Sequence, residues 1–292
     1  MQKIKIYFLK SLKKLKLLPH FNLVFSKKLN RIDVKIPILG EIGLTNMVLK
    51  KEWLDLLIEE FALPQSSKTF VDVGANIGQT MLRLKTIYPE SDYLGFEPNS
   101  TCASYVQKLI KTNRFKNCTI HNAGLSTEIG ILQLEKDSDT DSRASVVSNF
   151  RPNFFSTKES VLVLDYQSFY LDKEVNFIKI DVEGAEYEVL KGMEKAIKKH
   201  RPVITCEVLD AHNASVFDFA QDRATQLCTM LQSWNYNIIR LQTESSTIAN
   251  YKKIETIKLI QWSQKSLAFN DYLFYPTEME EEVIKKLKKI TV

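Results

Sequence analysis

The chain has 292 residues, 44% hydrophobic and 26% charged, an ordinary soluble globular composition with room for one large or two small domains. Its four cysteines show no CxxC spacing and its four histidines are dispersed, which argues against a disulfide framework or a zinc site and fits a reducing compartment. The net charge of +5 is uneven: residues 1–31 carry nine basic side chains and no acid, leaving −4 for the rest, so no nucleic-acid footprint spreads over the body.

The basic arm opens the chain. Ile4, Phe8, Leu12 and Leu15 recur at helical spacing between lysines, and Pro19 ends the pattern. No apolar run approaches the roughly 20 residues that span a bilayer, and no cleavage site follows, so neither a spanning helix nor a secretory signal is expected. A basic amphipathic helix can lie on an anionic membrane surface through residues 1–31, or dock on its own domain.

Next, "RIDVKIPILGEIGLTNM" reads as a short extended segment with a turn at Pro37 and Gly40. A helix follows in "KEWLDLLIEEFAL", with Trp53, Leu56, Leu57 and Phe61 on one face, and "PQSSK" is a short loop. Strands and helices then alternate. "TFVDVG" is a strand before a helix over Ile77–Tyr88, and "DYLGFEP" a strand before a helix over Ser100–Asn113. "NCTIHNAGL" is a third strand, and "GILQLEK" and "SVLVLDY" are extended runs around a polar loop from Asp137 to Asn153. "VNFIKIDVEG" precedes a helix over Ala185–Lys199, and "RPVITCEVLD" one over Ala224–Trp234. "YNIIRL" and "LAFNDYLFYP" are strands with no helix between them, and "TEMEEEVIKKLKKI" is a closing surface helix whose charges match its macrodipole. Near-continuous apolar strands alternating with helices imply a parallel sheet covered on both faces, and the last pair of strands implies an antiparallel edge.

In such sheets ligands sit beyond the carboxyl ends of the strands. Those ends read Asp72-Val73-Gly74-Ala75-Asn76-Ile77-Gly78, Glu97-Pro98-Asn99, Asn122-Ala123-Gly124, Asp181-Val182-Glu183-Gly184 and Glu207 to Asp210. Buried carboxylates are costly unless solvated or paired, so their clustering points to a site. Gly74 permits a sharp turn and Gly78 lets the N-terminus of the next helix approach strand or ligand closely, its positive end favouring an anion. Glu97 follows at the spacing that lets an acid take both ribose hydroxyls, which indicates an adenosine-containing ligand. The loop lacks the third glycine of the dinucleotide fingerprint. Asp72, facing the loop, would repel a pyrophosphate but could hold an ammonium group. S-adenosylmethionine suits these charges better than NAD.

"VDVGANIGQT", "GFEPN", "IKIDVEGAEYEVLKG", "RPVITCE" and the late "NDYLFYP", in that order, resemble the FkbM family of S-adenosylmethionine-dependent methyltransferases over roughly Thr69–Pro276. The resemblance implies an α/β class I methyltransferase fold, a Rossmann-like seven-stranded, mostly parallel sheet with one antiparallel strand. The expected division is an arm and helical extension over 1–63, the methyltransferase domain over 64–276, and a surface helix over 277–292. It further implies O-methylation, commonly of sugar hydroxyls in polysaccharides, glycolipids or natural products. By motif, Asp72, Gly74, Ala75, Asn76 and Gly78 would form the methionine-side loop. Glu97 with Pro98 would take the ribose, Asn122 and Ala123 would border the adenine, and Asp181 would face the methyl group and acceptor.

A hydroxyl needs a base near its proton, for which Asp181 is the first candidate, backed by Glu183 and Glu207. Glu186 and His212 stand behind these, and Arg143 and Arg151 on the polar loop could grip an anionic acceptor. Asp181, Glu207 and Asp210 could bind Mg²⁺, although no metal is expected because no spacing rule marks such a site. The alternatives are a nicotinamide-dependent oxidoreductase and a non-catalytic scaffold recruited to membranes. The expected partner is a sugar or glycan hydroxyl in polysaccharide biosynthesis, without nucleic acid. The expected location is the cytoplasm or the inner face of the membrane.

Overall fold

The computed structural model describes residues 2–62, 68–148, 150–170 and 172–292. Helix α1 (Gln2–Lys14) forms as expected, but only part of its apolar stripe docks on the domain. Leu9 is buried and Leu12 half-buried, while Phe8 and Leu15 face solvent; the side chain of Ile4 lies outside the described residues. The expected single extended segment is a hairpin of β1 (Asn22–Leu29) and β2 (Ile32–Leu39). Its two-residue turn places Asn30 and Arg31 both at positive φ, the geometry whose twist suits a hairpin. Asn30 is held there by bonds from its amide to Asp55 Oδ1 and Thr86 Oγ1. Two helices follow, α2 (Leu44–Val48) and α3 (Trp53–Phe61), the latter started by a reciprocal capping box of Glu52 and Asp55. The loop expected over 64–68, and with it the boundary at 63/64, lies outside the described residues apart from Lys68.

The alternating region runs β3 (Thr69–Val73), α4 (Gln79–Ile87), β4 (Asp92–Phe96), α5 (Ser100–Asn113) and β5 (Cys118–His121). A small sheet of β6 (Gly124–Leu125), β7 (Gly130–Lys136) and β8 (Thr157–Leu164) stands beside it. Then come α6 (Tyr166–Tyr170), β9 (Val175–Ile180), α7 (Glu186–Gly192), α8 (Glu194–His200) and β10 (Val203–Glu207). The single helix expected over Ala185–Lys199 is thus two, meeting at Met193. Helix α9 (Phe217–Ser233) starts earlier than expected. Strands β11 (Tyr236–Glu244), β12 (Thr247–Ile254) and β13 (Asp271–Pro276) and helix α10 (Glu280–Ile290) complete the chain.

The main sheet has the order β12-β11-β13-β10-β9-β3-β4-β5. Strands β10, β9, β3, β4 and β5 are parallel neighbours, and β13 runs against both β10 and β11. This is the class I methyltransferase arrangement with its reversed strand, extended by an eighth strand: β12 folds back on β11. Strand β12 escapes sequence reading because "TIANYKKI" is an exposed edge with a polar outer face. The connections leave β3 toward β4 and β5 on one side and return through β9 and β10 on the other. The crevice between β3 and β9 is therefore the topological switch point, where open α/β sheets take ligands.

One apolar layer joins the hairpin and α2–α5 to the sheet, and Leu9, Leu29, Ile36, Met47, Leu57 and Phe70 share it. The N-terminal extension thus shares a core with the sheet. The opposite layer packs α7–α9 through Val189, Leu190, Ile197, Leu227 and Leu231. Among the described residues no helix is long and apolar enough to cross a membrane.

Candidate active site

A cavity of about 490 Å³ opens at the carboxyl ends of β3, β4, β9 and β10, in the size range of small-molecule sites. Its floor is the loop after β3. Gly74 and Ala75 both donate their N–H to Phe96 O at 3.0 and 3.1 Å, which folds the loop over the end of β4. Gly74 has φ +80°, and a Cβ there would stand 1.8 Å from Asp181 O, so only glycine lets the loop lie on the end of β9. Gln79 and Thr80 line the cavity where α4 begins without a side-chain cap, so its first-turn N–H groups can serve a carboxylate.

Glu97 sits beside this loop, nearly buried. Its Oε2 accepts the Asn76 N–H at 2.7 Å and its Oε1 the Asn99 N–H at 2.8 Å. Burial outweighs these bonds and pushes the carboxyl up to about 7. The fixed carboxylate keeps further lone pairs for a pair of hydroxyls.

Beneath the loop, Lys179 Nζ donates to Gly74 O at 2.9 Å and lies 3.3 Å from Asp181 Oδ2 and 3.5 Å from Asp72 Oδ1. Burial alone would lower its pKa, but Asp181 and Asp72 together hold it above the usual lysine range, so it stays charged. It ties the loop to the acid at the end of β9. Asp181, 40% exposed, turns its other side to the cavity. Asp181, Glu183 and Glu207 each place an oxygen within 4.8 Å of the others. Burial and the neighbouring Asp181, Glu183 and Asp271 hold Glu207 well above the carboxylate range, so it keeps its proton. Asp271, pushed up to about 7 by burial, accepts from Thr243 Oγ1 at 3.0 Å on the same wall.

The remaining wall comes from the N-terminal extension. Leu49, Glu52, Trp53 and Leu54 line the cavity, fixed by Arg83 of α4. That guanidinium is buried, 2.6 Å from Glu52 Oε2 and 2.9 Å from Lys50 O, and it pairs with the fully buried Asp55. Asp141, Ser142, Ala144 and Val146 of the polar loop cover the opposite rim.

Gly74, Ala75, Asn76, Glu97, Pro98, Asp181, Glu183 and Glu207 thus meet on one cavity, as expected. Several expected residues do not line it. Asp72 is fully buried under the loop, taking the Tyr93 hydroxyl at 2.7 Å, so it holds Lys179 and cannot face a ligand ammonium. Gly78, at φ +78°, packs against Leu109 and Val106 of α5 rather than approaching a ligand. Asn122 bonds back to Glu97 O and Pro98 O, and the cavity wall there is Gly124 and Leu125, not Asn122 and Ala123.

The two loop arginines are not free to grip an acceptor. Arg143 bonds Asp141 at 3.0 Å over the Phe154 ring, and Arg151 bonds Glu183 Oε2 at 2.6 Å. Glu186 accepts the Gly184 N–H at 2.8 Å, away from the cavity, and His212 packs on Phe154 behind the loop. Asp210 accepts the Ile260 N–H, so the closest carboxylate trio contains Glu183 in its place. Sequence reading missed Lys179, Asp271, Arg83 and the Leu49–Leu54 wall. Only Lys179 left a signal, a lone charge inside the apolar "NFIKI".

Residues 72–238 match the family model described as Methyltransferase FkbM domain. Among curated proteins, "Methyltransferase 1" of Beauveria bassiana is 26% identical over 164 residues, which cover 50% of this chain and 66% of that protein. "Methyltransferase sdnD" of Sordaria araneosa is 26% identical over 160 residues, covering 44% and 62%. The chain therefore spans a little under two-thirds of these curated relatives. A crystal structure of methyltransferase FkbM from Methylobacillus flagellatus KT aligns at TM-score 0.45 and 18% identity, covering 77% of this chain and 48% of that one. The O-methyltransferase from Bacillus cereus in complex with SAH aligns at TM-score 0.43 and 14% identity, covering 76% and 78%.

Proposed function

The chain belongs to the FkbM methyltransferase family, and from that premise we propose that it transfers a methyl group from S-adenosylmethionine to a hydroxyl of a sugar or glycan. The observation that carries this reading is the convergence of the Gly74–Asn76 loop, Glu97 and Asp181 on one cavity at the switch point of the sheet. The fit to the cofactor is chemical. Glu97 can accept two ribose hydroxyls, and the uncapped start of α4 can take the amino-acid carboxylate. Among the described residues, seven carboxyl side chains line the cavity against two basic ones, Arg83 and Lys179, both already paired. Such a wall suits a sulfonium and disfavours a pyrophosphate, which weighs against a nicotinamide enzyme.

When bound, S-adenosylmethionine would supply an electrophilic methyl group, with S-adenosylhomocysteine as the leaving group. The chain's own residues supply position and a proton sink. Asp181 takes the acceptor's proton as the oxygen–carbon bond forms. Lys179 orients Asp181 from behind, and the proton held on Glu207 keeps the second carboxyl from competing. Arg151 holds Glu183 and with it the covering loop, while Ser145 Oγ donates to Glu183 O at 2.7 Å, so the loop closes the rim and excludes water. Lining carboxylates are natural acceptors for sugar hydroxyls, and Trp53 adds an aromatic surface on the wall.

The alternative of a scaffold without chemistry gains no support from a site this complete. The four described cysteines are free, which suits work in a reducing, cytoplasmic compartment. The test is turnover: the protein with S-adenosylmethionine and a panel of sugar and glycan acceptors should release S-adenosylhomocysteine. The product should be heavier by about 14 mass units, one net CH₂. Cofactor binding without methyl transfer to any hydroxyl, or transfer to nitrogen, would overturn the proposal.

A further inference from the structure

The family chemistry leaves the basic arm unused, although it is the strongest charge feature of the chain. On α1 at 100° per residue, Tyr7, Phe8, Ser11 and Leu15 fall on one arc of about 100°. The Leu15 N–H still bonds Ser11 O at 3.0 Å, so this face continues past the formal end of the helix. Tyr7 is 70%, Phe8 50% and Leu15 65% exposed. Leu12, at the edge of this arc, and Leu9 beyond it already satisfy the helix's packing against the domain. An apolar face this open is not needed to hold α1 in place.

Charge says what covers it. Lys10 and Lys14 border the apolar arc and Lys16 follows it, and none of the three has an acidic partner among the described residues. Among the described side chains of α1, Lys13 is neutralised, by Glu41 at 2.7 Å. Residues 1–31 hold no acid, while the rest of the chain is net negative. Lysines around exposed aromatic and aliphatic side chains match a surface with anionic headgroups over an apolar interior. A nucleic-acid backbone would use the lysines and leave Phe8 and Leu15 in water.

We propose that this face of α1 docks the protein on an anionic lipid bilayer. The docked helix lies next to the active cleft: α1 packs on α2, where Asn46 donates to Ile77 O in the cofactor loop, and Leu49–Leu54 just beyond α2 line the cavity. Docking therefore holds α1, and through α2 the N-terminal wall of the cavity, near the lipid surface.

The test is co-sedimentation of the full chain with vesicles of phosphatidylcholine alone and with about 30 mol% phosphatidylglycerol. Binding to the anionic vesicles should be at least about tenfold tighter and should weaken as salt rises from about 0.1 to about 0.5 M. Each lysine near the surface contributes about fivefold, so Lys10→Glu, Lys14→Glu and Lys16→Glu together should cut binding about 100-fold or more. Tyr7→Ser, Phe8→Ser and Leu15→Ser together should cut it about tenfold or more. Neither set touches the cavity, so S-adenosylmethionine affinity should hold and separates lost docking from lost folding. If the serine variant does not fold, the salt titration and the glutamate variant decide. Equal binding to both vesicle types, no binding, binding to RNA in place of vesicles, or burial of the face in a stable dimer would each overturn the proposal. The result is independent of which acceptor is methylated.

Discussion

Replacing Glu97 with Gln tests the ribose-binding assignment at one atom. In the wild-type protein each carboxylate oxygen takes one backbone N–H, from Asn99 and from Asn76. A carboxamide of the same shape offers only one acceptor, so one N–H is left facing an NH₂ group, at a cost of about 1–3 kcal/mol in stability. Losing hydrogen bonds to a charged acceptor costs about 1.5–3 kcal/mol in binding, a weakening of roughly 10- to 150-fold. The pH dependence is the sharper signature. Burial sets the carboxyl at about 7, and ligand hydroxyls donating to it favour the ionised form. Affinity is therefore full above that value and falls below it. Between about pH 8 and about pH 6 the wild-type protein should lose about tenfold in S-adenosylmethionine affinity from this group, a slope the Gln variant lacks. Calorimetric titrations of both proteins at both pH values, in buffers of differing ionisation enthalpy, measure the slope and the protons released. Any titration of the ligand itself cancels in the comparison. If the two proteins share one slope, Glu97 is not the titrating acceptor and the ribose assignment fails.

Asp181→Asn should lower kcat by about 10²- to 10⁴-fold while cofactor affinity changes little. Glu207→Gln, which mimics the proton already held, should cost less than about tenfold; the opposite ranking in steady-state assays would exchange their roles. Arg83→Met leaves Asp55 buried and unpaired and should destabilise the protein by about 3–5 kcal/mol in urea unfolding. Adding Asp55→Leu should recover part of that loss, and a single-variant effect near zero would show the pair to be dispensable. Gly74→Ala forces a Cβ against Asp181 O in a left-handed backbone. It should cost on the order of 3 kcal/mol or more, or abolish cofactor binding, whereas a stable variant that still binds would refute the close approach.

Much of the site was legible before the fold. Asp72-Val73-Gly74, Glu97 and Asp181 end apolar runs, and a run that ends on an acid and a glycine marks its own carboxyl end. What failed was side-chain direction. Asp72 and Gly74 are two residues apart, yet one is sealed under Tyr93 and Lys179 while the other lines the cavity. Arg143 and Arg151 looked free, but each finds an acid, and Arg151 finds it 32 residues away in sequence. Local pattern carries no information about such partners.

By itself the sequence determined the alternation of strands and helices, the strand ends where ligands bind, and the concentration of positive charge in the arm. These depend on period, turn residues and composition, all of which act over a few neighbours. Only the tertiary structure decided that Leu49–Leu54 closes the cleft, that Lys179 joins the glycine loop to Asp181, and that the fold leaves Phe8 and Leu15 uncovered. Burial, and with it every shifted proton at the site, is set by which distant segments pack together, and that is a property of the folded chain as a whole.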